Sequence, residues 1–151
     1  MNTLSRVERW DARLKAVFDQ IDDELESYVS THAATSTIRH FFRPDAVAGY
    51  PLHPTRPPAA ATANPEDDGR FDIGASFTAG IGSQLGPGYV LTARIATLET
   101  VSPDAQRALE DAVAARLREL LPLEFPDASL SVTRDPSPSG PYKIHGNLSL
   151  S

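Results

Sequence analysis

The chain has 151 residues, no cysteine, and 14 basic against 20 acidic side chains, a net charge of −6. The length suits one domain able to bury a core, and the charge argues against a general affinity for nucleic acid or anionic membranes. The absence of cysteine excludes disulfides, thiolate catalysis and Cys-ligated zinc.

The first element is a long amphipathic helix over residues 3–29. Ser5 with Glu8 fits a capping box, with Thr3 as the other candidate cap. Leu4, Val7, Leu14, Phe18, Ile21, Leu25 and Tyr28 fall at heptad a/d positions, interrupted by Asp11, and Trp10 and Val17 widen the stripe. The charges oppose the helix dipole: Arg6, Arg9, Arg13 and Lys15 come first, Asp19, Asp22, Asp23, Glu24 and Glu26 last. Packing or a partner must therefore stabilise this helix. In an antiparallel pair of copies, Arg6, Arg9 and Arg13 would meet Asp22, Asp23 and Glu26. That makes Leu4, Val7, Trp10, Leu14, Phe18, Ile21 and Leu25 the expected interface of a homodimer. The alternative is a helix laid over its own sheet, with the acidic run solvated.

Residues 32–42 are ambiguous between strand and loop. Residues 43–69 form an irregular proline-rich strap holding six of the 13 prolines, which lack the N–H for regular pairing and keep their predecessors extended. Within it, Tyr50-Pro-Leu-His-Pro54-Thr-Arg56 matches the PxxPx+ form read by SH3-type grooves, against a strap lying on its own domain.

Phe71, Ile73, Ala75, Phe77, Ala79 and Ile81 alternate with small or polar residues, predicting a strand with one buried face. Gly80, Gly82, Gly86 and Gly88 follow. A phosphate loop would lead into a helix and carry Gly-Lys-Ser/Thr. Here Gly86-Pro87-Gly88 leads into a second strand, Tyr89 to Glu99, so the glycines read as a hairpin tip. Ser102-Pro103-Asp104 then starts a helix, Ser as cap and Pro first, and Pro122 is expected to stop it. Leu130 and Val132 open a third strand. After the turn cluster at 135–141, Tyr142, Ile144, Leu148 and Leu150 alternate in a fourth.

The order α-β-β-α-β-β predicts one α+β domain over residues 1–151: two layers, a four-stranded mixed sheet with two hairpins, and helices on one face. Residues 70–151 would be its ββαββ core. The other sheet face would carry Asp72, Ser76, Thr78, Thr92, Arg94, Ser131, Thr133, Lys143, His145 and Asn147. It lacks the strand aromatics of an RNA-binding face, and a solvated face is the simpler reading.

His32, His40, His53 and His145 show no ligand spacing, so neither metal nor cofactor is expected. No nucleophile elbow or paired-carboxylate pattern marks a catalytic residue. No apolar run approaches the ~20 residues that span a bilayer. Charges at Arg6, Glu8, Arg9, Asp11 and Arg13 interrupt the place of a signal peptide's apolar core, so a cytoplasmic location is expected. These readings favour a non-catalytic interaction or structural subunit that self-associates through its first helix. The second reading is a small-ligand binder or enzyme with Arg94, Lys143, His145 and His53 around a pocket between the hairpin tips and the strap. Nucleic acid comes third.

Overall fold

The computed structural model describes residues 6–31, 47, 49–80, 85–136 and 140–146. Two helices cover one face of a four-stranded antiparallel sheet: α1 (Arg6–Thr31), β1 (Phe71–Thr78), β2 (Gly88–Ile95), α2 (Pro103–Glu124), β3 (Leu130–Arg134) and β4 (Tyr142–Gly146). The α+β class, the element order and the two hairpins are those predicted from sequence. The sheet is antiparallel throughout rather than mixed. Its order is β1-β2-β4-β3. The crossover through α2 does leave β2 and β3 running the same way, but β4 lies between them, antiparallel to both, so no parallel pair forms.

The alternation decides the register. Phe71 pairs with Ile95, Ile73 with Ala93 and Tyr89 with Ile144, and Ile144 also pairs with Val132. Partners directly opposite share a face, so these side chains form the sheet half of the core, all buried. The helices supply the rest. Leu14, Val17, Phe18, Ile21, Leu25 and Val29 come from α1, and Ala105, Leu109, Ala112, Val113, Leu117, Leu120 and Leu121 from α2.

This burial sets much of the expected seam against the chain's own sheet and second helix. Leu14, Phe18, Ile21 and Leu25 are at most 2% exposed within one chain, and Trp10 stacks on Phe125 with ring centroids 4.5 Å apart. The stripe is too wide for a two-helix seam because it faces a sheet and a second helix together. Leu4 and the Val7 side chain lie outside the described residues.

The reversed charges of α1 find their complement in α2, which runs antiparallel beside it. Arg13 donates to the Glu124 carbonyl at the C-terminus of α2, and its guanidinium sits 4.1 Å from the Phe125 ring centroid. Toward the other end, Arg116 forms two 2.8 Å hydrogen bonds to the Glu24 carboxylate. The acidic run is not uniformly solvated either, since Asp22 and Glu26 are buried.

Helix α2 begins as predicted. Ser102 Oγ accepts from the Ala105 N–H at 3.1 Å and Pro103 is the first helical residue. It ends later than predicted, at Glu124 rather than Pro122. Proline loses its own N–H and crowds the carbonyl one turn back, yet the bonds beyond it still form: the Phe125 N–H reaches Leu121 O at 2.8 Å.

Strands β1 and β2 end earlier than the alternation suggested, at Thr78 and Ile95. The glycine segment does join a hairpin. A side chain at Gly80 (φ 79°) would lie 2.1 Å from the Gly86 carbonyl carbon, so glycine closes the neck of the turn. Residues 81–84, 147–151, and His32 with His40 in the ambiguous 32–42 segment lie outside the described residues.

Candidate functional site

The proline-rich strap is docked on its own domain, and Arg56 fastens it. Arg56 Nε donates to Gly69 O at 3.0 Å, and Nη2 donates to the carbonyls of Glu66, Asp68 and Phe71 at 2.7–3.0 Å. Nη1 lies 2.7 Å from Asp72 Oδ1. The cationic residue of the PxxPx+ pattern is therefore engaged within the chain. His53 N–H donates to Ala96 O at 2.9 Å, laying the strap beside the end of β2.

The strap folds back through Thr62, whose N–H and hydroxyl both donate to the buried Asp68 carboxylate. It continues through a 3-10 turn, Pro65–Asp67. Glu26 of α1 accepts from the Arg70 N–H where the strap enters β1.

Between strap and sheet lies an open pocket of about 560 Å³. Its floor is the outer face of the β1–β2 hairpin, where Asp72 and Arg94 sit opposite one another. Its wall includes His53, Thr55, Arg56 and Asp67. Asp72 is shared unequally, with Arg56 at 2.7 Å and Arg94 at 3.8 Å. Arg94 is the looser partner, with a side chain 70% exposed.

On His53, Nδ1 accepts from the Thr55 N–H at 3.2 Å and contacts the Thr55 hydroxyl at 2.9 Å. With Nδ1 an acceptor, the neutral ring carries its hydrogen on Nε2. The pocket thus presents two donors with little or no internal commitment, the Arg94 guanidinium and His53 Nε2–H.

The structure brings together two of the four residues expected at a ligand site. His53 and Arg94 share the pocket. Lys143 and His145 share the outer face but lie further along β2, opposite Val90 and Gly88. Lys143 is buried and donates to Gly86 O of the hairpin turn, while His145 Nε2 is 2.9 Å from the Thr133 hydroxyl. Four residues of strand, about 13 Å, separate Arg94 from Val90. Sequence reasoning missed Asp72, Asp67 and the structural role of Arg56. The available signal was Arg56 between Pro54 and Pro57-Pro58, a side chain with five donors in a stretch whose backbone carbonyls lack regular partners.

On α1, one turn before Glu26, Asp22 is 2% exposed and its Oδ2 has no hydrogen-bond partner among the described residues. Burial first, then the charges of Glu26 and Asp23, push its pKa up from 3.8 to about 8. Burial also raises Glu26. Glu24 goes the other way: burial opposes ionisation, but the hydrogen bonds from Arg116 and Gln20 outweigh it and hold the carboxyl below its usual range. No group of His, Asp or Glu among the described residues is arranged to hold a metal ion. No helix among them is long and apolar enough to cross a membrane.

Fold and pocket define a small α+β domain with a polar groove on its open sheet face. A protein-family model described as an uncharacterised protein matches residues 5–146, and the chain belongs to that family. It is also 34% identical over 97 residues to an uncharacterized protein of Borreliella burgdorferi (strain ATCC 35210 / DSM 4680 / CIP 102532 / B31), covering 64% of this chain and 73% of that relative. No solved structure matches.

Proposed function

We propose that this protein is a non-catalytic binding protein that takes a small anionic ligand, a carboxylate or phosphate, in the groove between strap and sheet. The observation that carries this reading is the pair of donors on that groove. Among the described residues Arg94 is held only by a shared carboxylate at 3.8 Å, and His53 Nδ1 is occupied by its own turn, leaving Nε2–H for a ligand. An anion can draw Arg94 from Asp72 without leaving that carboxylate unpaired, because Arg56 holds it more closely.

The same geometry supports a role without catalysis. His53 Nδ1 already accepts hydrogen bonds and Asp72 is locked by Arg56, so neither is poised as a general base. Self-association through the α1 stripe is not part of this reading, since that stripe packs within the chain.

NMR titration with inorganic phosphate and with succinate tests the proposal. Saturable shifts are expected in residues 53–57 and 94–97. Arg94→Ala should weaken binding by about tenfold or more, the loss of one charge-assisted hydrogen bond. Absence of saturable shifts at tens of millimolar, or equal affinity in Arg94→Ala, would refute it.

A further inference from the structure

From Arg56 to Arg70 the strap is held to the domain by hydrogen bonds and an ion pair, and on α1, one turn before Glu26, Asp22 is a buried carboxyl whose Oδ2 has no partner among the described residues. We propose that Asp22 is a pH-responsive latch, keeping the strap closed over α1 while its carboxyl is neutral and releasing it on ionisation.

The geometry leaves an ionised Asp22 nowhere to turn. Its Oδ2 has no donor in reach and the side chain is closed off from solvent. On α1 it faces Asp19, Asp23 and Glu26, all of the same sign when charged. From the strap, Asp68 adds another acid, acting on Asp23 and Glu26. The cation acting on Asp22 from the strap is Arg56. That guanidinium already serves four carbonyls and Asp72, so it cannot turn to Asp22 without undoing the strap. The other cation nearby, Arg70, acts on Glu26.

Asp22 itself is 2% exposed, and one turn on, Glu26 accepts from the Arg70 N–H and leaves no room for a Cβ at Gly69. An ionised Asp22 must therefore be hydrated by moving either α1 or the strap. Ile21 and Leu25, its neighbours on α1, are fully buried in the core. The strap is the weaker attachment, because polar contacts exchange for water at small net cost.

The raised pKa agrees in sign. A carboxyl raised from 3.8 to about 8 favours the closed state most fully below about pH 4, and that contribution is lost as pH rises through about 8. The groove wall rides on the same strap, so opening would also disturb His53 and Arg56. The latch itself does not depend on any ligand.

Hydrogen exchange of the strap peptide, residues 57–70, tests this in the wild-type chain and in Asp22→Asn, compared at equal pH so that intrinsic exchange rates cancel. The Gly69 N–H, bonded to Pro57 O, is an internal reporter. The two proteins should exchange alike at about pH 4. Above that the wild type should gain on Asp22→Asn by up to about tenfold per pH unit, levelling off at a transition near pH 8. Glu26→Gln keeps an acceptor for the Arg70 N–H and removes a neighbouring charge, so it should move the transition to lower pH. Matching profiles of wild type and Asp22→Asn from about pH 4 to 9 would overturn the latch, as would an unmoved transition in Glu26→Gln.

Discussion

Arg56 and Gly69 show how single residues convert an irregular, proline-rich stretch into a fixed wall. A guanidinium offers five donors in a rigid fork, and here they meet carbonyls from the strap and β1 together with Asp72. Lysine keeps the charge but not the fork, so Arg56→Lys should lose most of these bonds. Increased protease sensitivity in residues 50–69, at unchanged helix content by circular dichroism, is the expected result. Gly69 has φ 75° and no room for a Cβ against Glu26. Gly69→Ala should lower stability by roughly 1–3 kcal/mol, read as a shifted urea midpoint with an unchanged slope. Asp22→Asn should do the reverse, with a gain that grows from about pH 4 to about pH 8, because it removes the charge that the fold cannot solvate while keeping the shape.

Among the elements, α1 carries the argument. Its charges oppose its own dipole, which made a second copy of itself the natural complement on paper. The partner is α2, antiparallel in the same chain and reached from 92 positions away. The Arg116–Glu24 pair is largely shielded, with side chains 12% and 20% exposed. Arg116→Ala should therefore cost about 1.5–3 kcal/mol, in the range of charged hydrogen bonds rather than surface pairs. The pair's pH dependence has a defined sign. Glu24 is held below the ordinary 4.5, so its stabilisation is present above that value and lost as pH falls through the lower folded value. In Arg116→Ala, this part of the acid destabilisation should disappear from a denaturation series between pH 5 and 2.

At the scale of the whole molecule, the apolar surface of α1 closes on one chain. The described core draws on both helices and all four strands, and no large side chain of the α1 stripe from Leu14 to Leu25 remains outside it. The protein should sediment as a monomer at tens of micromolar. Reversing Arg9 and Arg13 to Glu should leave that mass unchanged while lowering thermal stability, because Arg13 closes the end of α2. A dimer that dissociates on this reversal would return the stripe to an intermolecular role.

The sequence by itself determined the α+β class, the element order, which face of β1 is core, the hairpin reading of the glycines and the Ser102-Pro103 helix start. Each depends on residues a few positions apart: a period of two, a period near 3.6, a cap, a dense run of glycine. The tertiary structure alone decided what those elements meet. It inserted β4 between β2 and β3, gave the α1 stripe to the sheet and α2, buried Asp22 within an acidic run that looked solvated, and gathered His53 and Arg94 while leaving Lys143 and His145 on β4, opposite the start of β2. These outcomes turn on contacts between distant positions, such as Arg116 with Glu24 and Arg56 with Phe71 and Asp72. Charge order and apolar stripes state that a partner is needed. Chain topology selects which surface, in cis or in trans, supplies it.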